Sequence, residues 1–236
     1  MADDLLHAFA AEPARAAVLL DVDGTLAPIV DRPEDARVPD ETRRQLARLA
    51  GRYALVACVS GRPGSDVERM VGVRGVAIVG EHGLELDPAA RDWAERIAEF
   101  ARGVDWPAER KPLSASFHFR RADDEAAARA YLTRVAEAAS AAGLVPRWGR
   151  MVLEVRPPVD AHKGTAVCTL VARAGVSRAL YVGDDRTDLD AFQGLDGLEL
   201  GIRVAVRSSE TPPELLAAAD VVVEGTAGVL ELLRRL

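Results

Sequence analysis

A parallel α/β sheet wound in two directions, with a smaller α+β domain inserted into it, is the fold predicted by this 236-residue sequence. Three observations predict it. Short apolar runs alternate with helical patterns at both ends of the chain, as in a sheet covered on both faces. The middle of the chain changes to alternation of apolar and polar positions, the signature of a half-buried antiparallel sheet. Acidic residues directly follow two of the apolar runs, where a parallel sheet opens the crevice in which ligands collect.

Ala17 to Leu20 is the first buried strand. A helix follows from about Asp40 to Ala50, with Asp40 placed as N-cap, Gly51 as its stop, and Leu46, Leu49 and Ala50 on one face. Ala54 to Val59 is the next strand, a short helix follows Pro63, and Val76 to Val79 is the third strand. The alternation returns with Ala179 to Val182, a helix after Thr187, Arg203 to Val206, Val221 to Val223 and a helix from Thr226. Between these halves lie a helix-like segment Arg91 to Arg102, an alternating run Leu113 to Arg120, an alanine-rich helix Asp123 to Ala142 and a strand pattern Met151 to Arg156. Residues 87–160 are therefore expected to form the inserted domain, and 1–86 with 161–236 the core. The turn signals Asp87-Pro88 and Pro157-Pro158 mark its edges.

Half of the chain is apolar (49%), enough for a substantial core. Net charge is -7 and the basic residues are dispersed, which argues against nucleic-acid or anionic-membrane binding. Asp3 and Asp4 stand where a signal peptide carries basic charge, and no apolar stretch approaches the ~20 residues that span a bilayer. A cytoplasmic protein is expected. Cys58 and Cys168 sit in apolar surroundings without metal-ligand spacing, and both are expected to be buried, reduced thiols.

The chemistry concentrates after the apolar runs. The first leads into Asp21-Val22-Asp23-Gly24-Thr25-Leu26, two carboxylates one residue apart with a glycine that lets the chain turn away. A carboxylate there can attack phosphorus. Taken alone, Asp-x-Asp-Gly is also a common solvated turn, and it opens calcium loops. The calcium reading fails because Thr25 and Leu26 follow where further oxygen ligands belong, Pro28 soon interrupts, and no helix precedes the loop. Val59 runs into Ser60-Gly61-Arg62, Lys163-Gly164-Thr165 opens a helix, and Val182 runs into Gly183-Asp184-Asp185-Arg186-Thr187-Asp188. Singly, Ser60 reads as a capping hydroxyl and Lys163 as a solvated lysine. The acids of the last loop would repel one another unless a cation offsets them. Asp21, the main-chain carbonyl of Asp23 and Asp184 make an oxygen-rich set suited to Mg²⁺.

In this order, the four motifs resemble those of the haloacid dehalogenase superfamily, whose phosphatases combine a Rossmann-like core with an inserted cap. Finer features resemble the trehalose-6-phosphate phosphatase family: Asp21 to Ile29, Ser60-Gly61-Arg62, Gly80-Glu81-His82-Gly83, and Gly183-Asp184-Asp185-x-Thr187-Asp188. Within the insertion, Lys111 to Arg120 and Met151 to Pro157 are similar to that family's cap strands. The resemblance implies that Asp21 is a nucleophile, Asp23 a general acid and base, Ser60 and Lys163 holders of the phosphoryl oxygens, and Asp188 a residue orienting Lys163 or metal-bound water. It implies sugar contacts from Lys111, His118, Arg120 and Glu154 of the cap and from Arg62, Glu81 and His82 of the core, with Arg147 a further candidate. From the residues alone, Arg120 is better explained by the charged outer face of an amphipathic strand. Two positions depart from the family pattern: Leu189 replaces a frequent acid, and His162 precedes Lys163 where a small or polar residue is frequent.

The expected activity is Mg²⁺-dependent hydrolysis of trehalose 6-phosphate by a monomer acting on a small molecule. Another sugar phosphate, such as sucrose phosphate or a glycosylglycerate phosphate, is the alternative. A phosphorylated receiver module is disfavoured by the long insertion and by Asp23, for which a receiver has no use. Lys163-Gly164-Thr165 has the wrong order for a P-loop, and Ser60 lacks the elbow of a serine hydrolase.

Overall fold

The computed structural model describes residues 2–30, 32–149 and 151–236. Helix α1 (Ala2–Ala10) buries only Leu6 and Phe9, and the Phe9 ring stacks on Tyr53 with centroids 5.6 Å apart. So narrow a stripe in an Ala- and Asp-rich segment falls below the periodicity that predicts a helix. Strand β1 (Ala16–Leu20) is buried along its whole length, as a strand covered on both faces must be. Helix α2 (Asp40–Ala50) opens on Pro39 rather than on Asp40, so Asp40 and Glu41 form an acidic first turn facing the positive end of the helix. Gly51 ends it, and Leu46 and Leu49 are buried beneath it. Strand β2 (Leu55–Val59), helix α3 (Gly64–Val71) and strand β3 (Val76–Val79) follow.

The inserted segment continues with a 3-10 stretch at Pro88–Trp93, capped by Asp87, which accepts from the Ala89 amide. Helix α4 (Ala94–Arg102), the two-residue strand β4 (Glu109–Arg110) and strand β5 (Ala115–His118) come next. Helix α5 (Glu125–Ala141) is capped by Asp124, and strands β6 (Val145–Gly149) and β7 (Val152–Arg156) complete an antiparallel sheet in the order β4-β5-β7-β6. Ala115, Phe117, Leu153 and Val155 pack in one apolar cluster with Ile97 of α4 and with Leu132, Val135 and Ala139 of α5. By strand alternation, Ser116, His118, Glu154 and Arg156 lie on the opposite face.

The chain then returns through helix α6 (Lys163–Ala174), strand β8 (Arg178–Gly183), helix α7 (Asp188–Gln193), strand β9 (Leu200–Arg207), helix α8 (Pro213–Ala218), strand β10 (Val221–Glu224) and helix α9 (Gly225–Arg235). The six core strands run parallel in the order β10-β9-β8-β1-β2-β3, as the alternation predicts. Val18 and Leu20 of β1 share a cluster with Leu46 and Leu49 of α2 and with Leu232 and Leu233 of α9. The fold divides into two compact units, residues up to Gly83 with Ala161–Leu236, and Leu84–Asp160. Its first boundary thus falls at Leu84 rather than at residue 87, within the 3-10 stretch Glu81–Leu86.

The strand order identifies where ligands collect. From β1 the chain winds outward through β2 and β3, then returns to β8 on the other side of β1. The loops after β1, β2 and β8 therefore diverge at one switch point, where an open α/β sheet leaves a crevice. One expectation about cysteines needs correction. Cys58 is buried, and burial pushes its thiol up to about 12, helped by nearby Asp21. Cys168 is exposed, because α6 turns Ala166, Val167, Leu170 and Val171 inward and Cys168 falls on its other side.

Candidate active site

The loop after β1 continues the sheet for one residue, with the Asp21 amide donating to Val182 O of β8 at 2.9 Å. That bond fixes Asp21 over the end of the sheet, with the residue only 5% exposed. Gly24 turns the chain at φ 79°, a left-handed conformation, and a Cβ there would come within 2.0 Å of Asp184 Oδ2. The left-handed turn calls for a glycine, and its bare Cα leaves room for the Asp184 carboxylate in this position. The Ser60 amide extends β2 by donating to Val79 O (3.0 Å), which places its buried hydroxyl beside the same crevice.

Lys163 stands at the first position of α6 and is 2% exposed. Its Nζ donates to Asp21 Oδ1 (2.6 Å) and to Asp188 Oδ1 (2.7 Å). Tyr181 of β8 donates its hydroxyl to the same Asp188 Oδ1 at 2.7 Å. Asp188 Oδ2 accepts from the amides of Asp184 and Asp185, both at 3.0 Å. Asp188 is therefore saturated: each oxygen already accepts two hydrogen bonds, and an ionised carboxylate offers about four such positions.

Asp21, Asp184 and Asp188 each offer an oxygen within 4.8 Å of the others. Because Asp188 is saturated, the carboxylates left to meet a cation are those of Asp21 and Asp184. Thr25 Oγ1 reaches Asp184 Oδ1 only at 3.5 Å. Asp185 is turned aside, accepting from the amide and hydroxyl of Thr187 at 2.7 and 2.6 Å.

The electrostatics match this geometry. Burial raises the Asp21 carboxyl well above its ordinary range; Lys163 pulls it back, while Asp188 and Asp184 push it further up. Burial, then Asp188 and Asp185, lifts Asp184 to about 7. Burial also raises Asp188, against the pull of Lys163. Burial would depress Lys163, but Asp188 and Asp21 outweigh it and hold the ammonium charged. Three carboxylates facing one ammonium leave a charge deficit that a hard divalent cation with oxygen ligands would fill.

A pH dependence follows. Asp184 titrates near 7 when folded against an ordinary 3.8, so between these values the folded protein binds more protons than the unfolded chain. Its contribution is present below about pH 4 and is lost as pH rises through 7. Metal-free protein is expected to melt at a lower temperature at pH 8 than at pH 5 on this account. Added Mg²⁺ should raise the pH 8 melting point more than the pH 5 one, because the ligand must be ionised.

The remaining core residues sit nearby. Arg62 holds Asp23 through two bonds, Nε to Oδ2 at 2.6 Å and Nη2 to Oδ1 at 2.7 Å. The Arg62 amide donates to Ser60 Oγ (3.2 Å), and the amides of Glu81 and His82 donate to the carbonyls of Arg62 and Ser60. Glu81 and His82 both have positive φ (48° and 56°), a conformation that costs a non-glycine residue about 1–3 kcal/mol. The His82 ring lies so close over Gly61 that a Cβ there would be 2.5 Å from Nε2. The β2 and β3 loops are thus laced together around Ser60.

In the second unit, Glu154 lies 3.7 Å from Lys111 Nζ and 3.9 Å from Arg156 Nε, and Ser114 Oγ reaches it at 3.4 Å. Arg147 pairs with Glu154 across the sheet, and His118 lies on the same face bonded to Glu109 at 2.7 Å. Arg120 stands apart, exposed in a turn after β5 rather than on a strand face.

Two residues of these clusters were not legible as functional. Arg156 is buried beside Glu154 at i+2, a spacing that strand alternation could have flagged. Tyr181 interrupts an aliphatic strand, and a buried phenol needs a partner. Tyr181→Phe is expected to lower kcat about tenfold with KM unchanged, since a hydrogen bond to a charged group contributes about 1.5–3 kcal/mol. Steady-state kinetics on the folded variant checks this.

The family model for trehalose-phosphatase matches residues 19–106 and 101–219. The chain belongs to the trehalose-phosphatase family. It is 33% identical over 229 residues to a trehalose-phosphate phosphatase of Mycobacterium avium, covering 86% of this chain and 57% of that protein. A probable trehalose-phosphate phosphatase of rice is 31% identical over 276 residues, covering 97% of this chain and 71% of the relative. An uncharacterized glycosyl hydrolase of Mycobacterium tuberculosis is 33% identical over 223 residues, covering 83% of this chain and 16% of its own. The chain thus spans less than two thirds of the length of these mycobacterial relatives, 57% of one and 16% of the other. Among solved structures, the C-terminal domain of Candida albicans trehalose-6-phosphate phosphatase superposes with a TM-score of 0.74 at 25% identity, covering 98% of this chain and 94% of that one. A haloacid dehalogenase-like hydrolase from Bacteroides thetaiotaomicron shares the fold, with a TM-score of 0.63 at 16% identity, covering 93% of this chain and 98% of that one. No described helix is long and apolar enough to cross a membrane.

Proposed function

We propose that this chain is a Mg²⁺-dependent phosphatase that hydrolyses trehalose 6-phosphate to trehalose and phosphate through an aspartyl-phosphate at Asp21. One observation carries the reading: a buried aspartate at the switch point is held by a charged lysine, beside a second carboxylate raised to about 7. Membership of the trehalose-phosphatase family supports the sugar assignment. The saturation of Asp188 supports its role as an orienting residue and leaves Asp21, Asp184 and the Asp23 carbonyl to hold Mg²⁺. When bound, Mg²⁺ supplies positive charge against the phosphoryl oxygens and keeps Asp21 ionised.

Lys163 and Ser60 hold the phosphoryl oxygens and aim phosphorus at Asp21. An Asp21 oxygen forms the bond to phosphorus as the bond to the sugar oxygen breaks, and Asp23 gives that oxygen its proton. Asp23 then takes a proton from the water that attacks the aspartyl-phosphate, which restores Asp21 and frees phosphate. Arg62 holds both oxygens of Asp23, so one of those bonds must open for the acid and base steps. Transfer of Arg62 to the substrate would open it. Glu81 and His82 of the core, and Lys111, His118 and Glu154 of the second unit, supply mixed donors and acceptors that suit hydroxyl-rich ligands. The enzyme works as a cytoplasmic monomer without nucleic-acid or membrane partners.

The test is phosphate release from trehalose 6-phosphate, sucrose 6-phosphate and glucose 6-phosphate, each with Mg²⁺ and with a chelator. Preference for trehalose 6-phosphate and dependence on Mg²⁺ are expected. Equal turnover of all three esters would reject the sugar assignment, and unchanged rates with chelator would reject the metal.

A further inference from the structure

We infer that His162 is a positioning residue for the reaction proposed above, on which this inference rests: its imidazole caps α6 and so fixes the point from which Lys163 reaches Asp21. His162 is the N-cap of α6, with extended φ and ψ of -153° and 173°. Its Nδ1 accepts from the Gly164 amide at 3.1 Å. In return, the His162 amide donates to Thr165 Oγ1 at 3.0 Å, and that hydroxyl donates to His162 O at 2.9 Å. The first turn of the helix is closed from both sides, as in a capping box.

Lys163 belongs to that turn, and its Nζ meets two carboxylates at 2.6 and 2.7 Å. A lysine reaches its target over a flexible four-carbon stem, so the position of its backbone decides whether both bonds form together. The rest of the turn is wedged. A Cβ on Gly164 would lie 2.4 Å from Asp190 O of α7, and one on Gly83 would lie 3.0 Å from His162 O. The imidazole is one of the two side chains, with Thr165, that hold this turn. A misplacement of about 1 Å in such a site lowers rates on the order of 100-fold.

Histidine is an unusual choice, since Ser, Thr, Asp and Asn are the preferred N-caps. Its surroundings account for it. An aspartate cap would add another carboxylate one residue from Lys163, where Asp21, Asp188 and the more distant Asp185 already compete for the ammonium. The imidazole accepts the amide bond without adding negative charge.

The test compares His162→Ala and His162→Asn with the parent protein. Three readouts are needed: kcat and KM for trehalose 6-phosphate with Mg²⁺, amide exchange at Gly164, and exchange of the Lys163 ammonium protons by NMR. His162→Ala is expected to lower kcat at least about tenfold with KM nearly unchanged, and to speed exchange at both Gly164 and Lys163. His162→Asn, a neutral cap, should restore all three toward parent values. The inference is overturned if His162→Ala raises KM alone, if Lys163 stays protected in it, or if His162→Asn is as impaired as His162→Ala. Should the parent protein hydrolyse no ester, the proposed function fails, and the two exchange measurements still decide whether His162 positions Lys163.

Discussion

Asp21→Asn is expected to abolish phosphate release from every ester, with a loss on the order of 10⁴-fold or more, as removal of a covalent nucleophile does. The variant should fold normally, because an asparagine carbonyl still accepts from Lys163 and the side chain keeps its volume. Its metal-free form should be at least as stable as the parent at pH 8. Burial raises the Asp21 carboxyl, so ionised Asp21 costs stability above its folded titration, and asparagine removes that cost. Loss of activity with unchanged or higher melting temperature separates a missing nucleophile from a damaged fold. Residual turnover within tenfold of the parent would assign the nucleophile elsewhere.

Lys163→Met should have the opposite signature, losing both activity and stability. Methionine keeps most of the apolar stem but removes the ammonium that lies 2.6 Å from Asp21 and 2.7 Å from Asp188. Breaking a buried ion pair from one side costs about 3–5 kcal/mol. The two carboxylates then face each other at neutral pH, so the deficit should shrink as pH falls and they take up protons. Mg²⁺ should recover part of the stability and little of the activity, since the metal can offset charge but cannot replace a donor to the phosphoryl group. Chemical denaturation at pH 5 and pH 8, with and without Mg²⁺, checks each step. A pH-independent deficit would mean that Lys163 contributes packing rather than charge.

The core strands were legible because β1, β2 and β8 are buried on both faces and read as unbroken apolar runs ending at Asp21, Ser60 and Asp184. Parallel direction then brings those ends to one edge of the sheet whatever their separation in sequence. Elements with little apolar content were not legible. Helix α1 buries only Leu6 and Phe9, and β6 is an edge strand carrying Pro146 and Arg147 with most of its length exposed. Strand β4 has two exposed residues and exists only through its pairing with β5. Side-chain direction was harder still. Nothing in Leu180-Tyr181-Val182 tells that the phenol meets Asp188, and nothing in Ser60-Gly61-Arg62 tells that Arg62 grips Asp23. The exposure of Cys168 depends on which face α6 turns inward, and one apolar turn leaves that undecided.

The central claim is that phosphorus is bonded to Asp21 during turnover. Protein mixed with trehalose 6-phosphate and Mg²⁺, quenched in acid within a single turnover and digested, tests it by mass spectrometry of the peptide containing residues 16–24. A phosphoryl group on Asp21 that forms and decays at the rate of phosphate release is the predicted result. Phosphate release at the full rate with Asp21 unmodified, or with the label on another residue, would contradict it.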